Sequence, residues 1–297
     1  MSRTSQSPRP RKRSLPDWFK KPLPTGGAIR PMQRIVEEKK LNTVCASAKC
    51  PNLNECWSRK TATFMVLGNN CTRRCFFCSV PKAQPDPVDA DEPRRVAEAV
   101  EALDLRHVVI TSVDRDDLPD RGAAHFVAVI EALRATGDRV IEVLTPDFRG
   151  YDDGAREVAQ ARPDIFNHNV ETVPHLYSRV RPGAVYKHSM ALLQRVKKYD
   201  DSILTKSGLM LGLGETNDQV IETMHDLRAH DVDILTLGQY LRPSDRELPV
   251  DRYVPPAEFD ELAAEGRRLG FLGVYAGPFV RSSYNADSVY AEVRARR

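Results

Sequence analysis

Residues 62–78 read ATFMVLGNNCTRRCFFC: an apolar run that ends at Gly68 and opens onto Cys71, Cys75 and Cys78, spaced C-x3-C-x2-C. A continuous apolar run stopped by glycine suits a strand buried on both faces, as in a parallel sheet. Downstream, strand and helix patterns alternate. Pro93 opens a helix whose apolar positions are Val96, Val100 and Leu103. Strands follow at 107–113, 140–144, 164–170, 207–213, 234–240 and 271–275, with helices at 123–135, 153–161, 187–199 and 256–269 and a short one near Pro174. Thr216-x-x-Gln219 is a capping box ahead of the buried stripe Val220, Met224 and Leu227. Such alternation implies parallel strands joined by right-handed crossovers. About six βα units follow the cysteine loop, too few for a closed eight-stranded barrel. The expected fold is therefore α/β, a partial (β/α)6 TIM-like barrel. Chemistry in such barrels lies at the carboxyl ends of the strands. Here those ends carry Cys71, Asp114, Asn169, Glu171, Glu215 and Gln239.

All six cysteines fall between positions 45 and 78. The first triplet, Cys45, Cys50 and Cys56, is spaced C-x4-C-x5-C and lies in an extension ahead of the barrel. Three thiolates on a short loop ligate three irons of a cubane cluster and leave the fourth iron for another ligand. Two 4Fe–4S clusters side by side are the expectation, one per triplet. A disulfide framework belongs to short secreted chains, and this chain shows no apolar signal segment. Zinc sites pair two knuckles or add a spaced His pair, whereas only Cys75 and Cys78 form a knuckle here and no His follows closely.

The remaining composition is that of a globular enzyme. Hydrophobic residues make up 41% and charged residues 29% of 297 positions, and no apolar run approaches the length of a membrane span. Clustered thiols without an export signal point to a reducing cytoplasm, with no membrane and no nucleic acid as partner. Residues 1–21 carry Arg3, Arg9, Arg11, Lys12, Arg13, Lys20 and Lys21 against Asp17, a net +6 that leaves −3 for the rest of a chain of net +3. Rich in Pro and Ser, this segment reads as a solvated, disordered tail, or as an arm that closes over an acidic partner or the active site.

The C-x3-C-x2-C loop, with Phe77 before its last cysteine, resembles the signature of the radical S-adenosylmethionine (SAM) enzymes. The surrounding text is similar to the lipoyl synthase family. The resemblance rests on CPNLNECW from Cys50, TATFMVLGNNCTRRCFFC at 61–78, TSVDRDDL at 111–118, FNHNVETVPHLY at 166–177, KSGLMLGLGET at 206–216, LTLGQYLRPS at 235–244 and GPFVRSSYNA at 277–286. It runs from about residue 16 to residue 286. It implies insertion of two sulfur atoms at C6 and C8 of a protein-bound octanoyl-lysine. The open iron of the Cys71–Cys75–Cys78 cluster would chelate SAM and cleave it to a 5′-deoxyadenosyl radical. The Cys45–Cys50–Cys56 cluster would be sacrificed as the sulfur source. The implied partners are octanoylated lipoyl-carrier domains (E2 subunits of 2-oxoacid dehydrogenases and the glycine-cleavage H protein), an electron donor such as ferredoxin or flavodoxin, and an iron–sulfur carrier.

The resemblance also implies a fourth, serine ligand for the auxiliary cluster in Arg281-Ser282-Ser283-Tyr284, here assigned to Ser283 with Ser282 as the alternative. The residues alone would make Ser283 a helix-capping hydroxyl. The catalytic set is then Cys71, Cys75, Cys78, Ser283 and Arg281. Arg281 would order the serine loop or shield the open iron, unless it merely pairs with an acid. Asn169 and Glu171 have donors and acceptors for the ribose or methionyl part of SAM; the plain alternative is a turn Asn and a surface salt bridge. Asp114, with Arg115 and Asp116, shapes the same pocket or forms a solvated turn. Phe77 packs on adenine or in the core, and His168 satisfies a structural hydrogen bond. Two positions depart from the family text: Arg121, where a second glycine is usual, and Glu247, where His is frequent. The expected organisation is tail 1–21, auxiliary-cluster extension 22–60, barrel 61–276 and closing segment 277–297. The rival functions are another sulfur-inserting enzyme resembling biotin synthase, and a non-enzymatic iron–sulfur protein for electron transfer or sensing.

Overall fold

The computed structural model describes residues 15–20, 29–48 and 50–296. The reading of 1–21 as a disordered tail falls mostly outside them. Within the described part of that segment, exposed Lys20 pairs with Asp17 at 2.6 Å, and Phe19 packs edge-on against Tyr253 and Phe279, with ring centroids 5.5 and 5.4 Å away.

The extension contributes α1 (Ile29–Glu38), the two-residue strand β1 (Asn42–Thr43) and the short helices α2 (Val44–Ser47) and α3 (Leu53–Ser58). The barrel follows as β2 (Ala62–Val66), α4 (Glu92–Ala102), β3 (His107–Ser112), α5 (Ala123–Ala135), β4 (Val140–Leu144), α6 (Gly154–Gln160) and β5 (Ile165–Asn167). It continues through α7 (Tyr177–Val180), α8 (Tyr186–Tyr199), β6 (Leu204–Leu211), α9 (Asn217–Ala229), β7 (Ile234–Gln239), α10 (Pro256–Arg268) and β8 (Gly273–Gly277), and α11 (Ala286–Arg296) ends the chain. The strands lie in sequence order. β2 to β8 are parallel throughout, and β1 alone is antiparallel. Seven parallel strands joined by six crossovers make the partial barrel expected from the alternation.

The sequence patterns account for these elements. Every residue of β2 is buried, because lumen and helices cover both faces. Thr216 and Gln219 cap α9 reciprocally, and Val220, Met224 and Leu227 behind them are fully buried. Differences sit at the ends. β6 begins three residues before the apolar run, because Thr205 and Lys206 are buried by hydrogen bonding rather than hydrophobicity. β1 and α11 carry too little periodicity to be read.

β1 and β8 do not pair with each other, so the sheet stays open. Two features occupy the barrel in place of closure. Residues 278–285 cross its lumen, passing over β7 and β6 to reach β2. Gly238 makes room for this: a Cβ there would lie 2.1 Å from the Val280 carbonyl oxygen. Gly208 does the same, since a Cβ would lie 2.5 Å from Thr236 Oγ1 and 3.3 Å from Ser282 Oγ. α11 then plugs the amino end, where Val289 and Val293 pack on Ile165, Leu204 and Ile234.

Inside that end lies a buried ion pair, Lys206 Nζ to Glu142 Oε1 at 2.9 Å, with Asn167 Nδ2 donating to the same oxygen at 3.0 Å. Burial raises the carboxyl pKa, but Lys206 and His107 more than offset it, and Glu142 falls to about 2. Because the folded value is depressed, this stabilisation is complete above the ordinary value of 4.5 and is lost as pH falls from 4.5 towards 2. Lys206→Met strands the Glu142 charge and should cost about 3–5 kcal/mol in urea unfolding; Glu142→Leu with Lys206→Met should recover most of it. A cost below about 1 kcal/mol for the single variant would show that the pair is not needed.

Candidate active site

The loop that carries the second triplet is anchored on all sides by backbone. Cys71 N donates to Pro81 O, Thr72 N to Asp114 O, Phe76 N to Val180 O, and Leu248 N to Phe76 O, at 2.9–3.1 Å. This places Cys71, Cys75 and Cys78 over the carboxyl ends of the strands. There they line a cavity of about 200 Å³ together with Phe77, Asp114, Asn169 and Glu171. The first triplet lines a second, smaller cavity of about 20 Å³, which it shares with Thr63, Arg281 and Ser283. Ser79 Oγ donates to Ser47 O at 2.8 Å and ties the two cysteine segments together.

All six thiols are free of disulfides. Burial pushes the pKa values of Cys71, Cys75 and Cys78 up, Cys75 to about 12. In the second cavity burial, reinforced by the neighbouring thiols, raises Cys45 and takes Cys56 to about 12. Three crowded, buried thiols ionise together only when cationic metal is bound. One triplet lines each cavity, a donor set that suits clusters in which each thiolate takes its own iron. The buried Trp57 indole N–H faces Cys45 and lowers its thiol pKa against burial, a donor placed for a sulfur acceptor. In the first cavity Ser112 Oγ, Thr145 Oγ1 and Arg181 Nε are buried without a hydrogen-bond partner among the described residues. Buried polar groups rarely stay unpaired, so this lining suits a polar, charged ligand such as SAM.

Two buried arginines, which the sequence reading overlooked, organise this end of the barrel. Arg73 forms a bidentate pair with Asp116 at 2.6 and 2.7 Å, meets Asp147 at 2.7 Å and approaches Asp114 at 3.5 Å. The Asp114–Asp116 turn is therefore built around a cation rather than solvated. Asp114 Oδ2 also lies 3.7 Å from Cys71 Sγ, and burial raises its carboxyl pKa in spite of Arg73. Arg181 donates to the Asn169 carbonyl at 2.7 Å and lies over the Tyr177 ring, 5.4 Å from its centroid. Neither is announced by a motif: Arg73 is one of two adjacent arginines between cysteines, and Arg181 ends a short helix.

Asn169 and Glu171 both reach the first cavity. Glu171 has φ of +66°, a left-handed conformation that reconnects β5 to β6 through a bridge with Leu209. Burial raises its carboxyl pKa, against the pull of Arg181 and Asn169. His168 is held on both nitrogens, by Thr145 O and Ser189 Oγ at 2.9 Å each. Glu215 accepts from the backbone of Gly212 and Leu213, and Gln239 binds Leu211 O, Tyr240 O, Arg252 O and Val254 N. These two rim residues fasten loops instead of lining the cavity.

The two serines separate. Ser283 Oγ accepts from Thr63 Oγ1 at 2.8 Å in the second cavity, while Ser282 Oγ donates to Asn169 Oδ1 at 2.8 Å on the side of the first. Ser283 caps no helix, since α11 begins only at Ala286. Arg281 has no carboxylate partner among the described residues and donates to the Val280 carbonyl.

A model of the radical SAM superfamily matches residues 65–227. The fold is similar to that of FeFe-hydrogenase maturase HydG from Carboxydothermus hydrogenoformans, with a TM-score of 0.59 at 13% identity, covering 89% of this chain and 69% of that one. It is also similar to Streptococcus suis SuiB bound to S-adenosylmethionine, with a TM-score of 0.57 at 10% identity, covering 76% and 53%. Open barrel, cysteine loop and family match together define a radical SAM enzyme. The lipoyl synthase of Caldanaerobacter subterraneus subsp. tengcongensis is 54% identical over 272 residues, covering 92% of this chain and 95% of that protein. That of Methylococcus capsulatus is 56% identical over 274 residues, covering 92% and 85%. The chain belongs to the lipoyl synthase family. It is thus a sulfur-inserting radical SAM enzyme whose cofactors are SAM and two 4Fe–4S clusters, not an electron carrier or a sensor.

Arg73→Met removes the cation that contacts Asp114, Asp116 and Asp147 together. It should destabilise the folded chain by about 3–5 kcal/mol in a denaturant titration. Unchanged stability would mean that the three carboxylates are satisfied without it.

Proposed function

We propose the following division of labour for conversion of a carrier-bound octanoyl-lysine to lipoyl-lysine. Cys71, Cys75 and Cys78 hold the cluster that binds SAM, and Cys45, Cys50, Cys56 and Ser283 hold the auxiliary cluster that supplies sulfur to C6 and C8. When bound, these groups supply one-electron chemistry that takes hydrogen from unactivated carbon, followed by sulfide transfer. Asn169 and Glu171 bind the ribose or methionyl part of SAM, Asp114 and Phe77 complete its contacts, and the apolar lining from Met65, Val80 and Val113 keeps water from the reacting carbons.

Thr63 donates to Ser283, which favours the charged, alkoxide form of the oxygen. Oxygen is a harder donor than thiolate, and a single oxygen ligand is the one most readily surrendered as the cluster is consumed. Arg281, half-buried beside Cys50, supplies positive charge to the same cavity. Residues 22–60 and 277–297 then form one functional unit around the auxiliary cluster, and 61–276 form the SAM-binding barrel.

The observation that carries this reading is the pair of cavities, each lined by one complete cysteine triplet and the second also by Ser283. It favours lipoyl formation over a biotin-synthase-like reaction, whose enzymes lack both the first triplet and the Arg-Ser-Ser-Tyr segment. Among the described residues no helix is long and apolar enough to cross a membrane, consistent with work in a reducing cytoplasm on the E2 and H carriers. Electrons would come from a ferredoxin or flavodoxin, and an iron–sulfur carrier would rebuild the spent cluster.

The test is anaerobic turnover of the reconstituted chain with reductant, saturating SAM and an octanoyl-lysyl peptide, read by mass spectrometry. The parent should give dithiolated peptide and 5′-deoxyadenosine. Replacing Cys45, Cys50 and Cys56 with Ala should remove about half of the iron and all of the dithiolated product while 5′-deoxyadenosine still forms. Replacing Cys71, Cys75 and Cys78 should abolish both. Should the parent form 5′-deoxyadenosine and leave the peptide unchanged, the substrate assignment is wrong.

A further inference from the structure

Ser282 and Ser283 are adjacent in the chain yet belong to different cavities. Ser283 Oγ stands among the auxiliary cysteines and accepts from Thr63. Ser282 Oγ points the other way and donates to Asn169 Oδ1, whose residue lines the first cavity. That bond has a geometric consequence. With its oxygen engaged, the Asn169 amide is fixed in one of its two flips, which leaves its NH₂ group for the cavity that Asn169 and Glu171 both line, and the amide lowers the Glu171 carboxyl pKa against its burial. Arg181 holds the backbone of the same Asn169 from the far side at 2.7 Å.

The space for this contact is itself restricted. A Cβ on Gly208 would lie 3.0 Å from Asn169 Oδ1, 3.3 Å from Ser282 Oγ and 2.5 Å from Thr236 Oγ1. A Cβ on Gly238 would strike the Val280 carbonyl two residues before Ser282. The segment that carries both serines is thus pinned in the lumen, and a shift at Ser283 is passed to Ser282 through a single peptide unit.

We infer that Ser282 is a positioning residue: it orients Asn169, and through it Glu171, for SAM, and it makes that orientation depend on whether Ser283 is held by the auxiliary cluster. The inference rests on the assignment of Asn169 and Glu171 to SAM and of Ser283 to the auxiliary cluster. Coupling of this kind is a free energy shared between two sites and is reciprocal. A chain whose auxiliary cluster has been spent would bind SAM more weakly, which disfavours further SAM cleavage when no sulfur remains to be inserted.

The experiment is a double-mutant cycle on SAM affinity, measured anaerobically by equilibrium dialysis on reconstituted full-length protein, with no turnover. One arm removes the auxiliary cluster (Cys45→Ala, Cys50→Ala and Cys56→Ala together), the other is Ser282→Ala. Each alone should weaken SAM binding roughly tenfold, and the combination should be no weaker than either. Ser282→Thr, which keeps the hydroxyl, should restore both the affinity and its dependence on the auxiliary cluster. The inference is overturned if Ser282→Ala binds SAM within about twofold of the parent, or if the two effects multiply. If Ser282→Ala does not hold its clusters, Gly208→Ala, which crowds the same three oxygens, takes its place with the same expected weakening and the same overturning result. Asn169→Ala separates the two levels of the argument. If it too leaves SAM affinity unchanged, the assignment of the SAM pocket fails; if it alone weakens binding, only the role of Ser282 falls.

Discussion

A seven-stranded parallel sheet curled without closing has a lumen that neither its own side chains nor a partner strand can fill. This molecule fills it with its own C-terminal segment, and most other features follow from that. Glycines at 208 and 238 line the path, because any larger residue would meet the passing backbone or its serines. The open edge is bridged by side chains instead of a ladder: Asn52 Nδ2 to Phe279 O at 2.6 Å, Tyr284 OH to Glu55 Oε1 at 2.6 Å, and Thr63 to Ser283. Without that segment the second cavity loses Arg281, Ser283 and Tyr284, and the amino end loses its plug.

The two ends of the barrel are charged for different purposes. At the amino end Glu142 and Lys206 are fully buried and neutralise each other, a device for stability and lumen packing. At the carboxyl end Arg73 and Arg181 are surrounded by carboxylates, polar atoms and thiols that still face open space. Thiols, carboxylates and polar atoms gathered around open space at the carboxyl end mark where a ligand belongs.

The sequence disclosed the barrel because its strands are continuous apolar runs and its helices carry periodic stripes and caps. It disclosed the cysteines because thiols concentrated in one short stretch have few explanations. Asn169 and Glu171 were legible as polar residues just past a strand, whereas Glu215 and Gln239 looked equivalent and proved to be loop fasteners. Sequence position says which end of a strand a residue occupies, but not whether backbone groups will claim its side chain. Arg73 and Thr63 were invisible for a related reason, since each acts through residues distant in the chain, and Arg181 because nothing in its short helix marks it as turned inward. Of the two departures from the family text, Arg121 adopts φ of +57°, the conformation a glycine would take freely, and donates to three carbonyls that hold its loop. Glu247 accepts from Ser244 at 2.7 Å and stays local.

The Thr63–Ser283 bond joins positions 220 residues apart. During synthesis the six cysteines leave the ribosome when most of the barrel and the whole serine segment have yet to be made. At about 5–20 residues per second, they spend on the order of ten seconds or more without the Ser283 oxygen that shares the second cavity. A nascent chain can therefore offer three thiols but not the finished second cavity. A product truncated before Ser283 would be left with those thiols more open to oxidation.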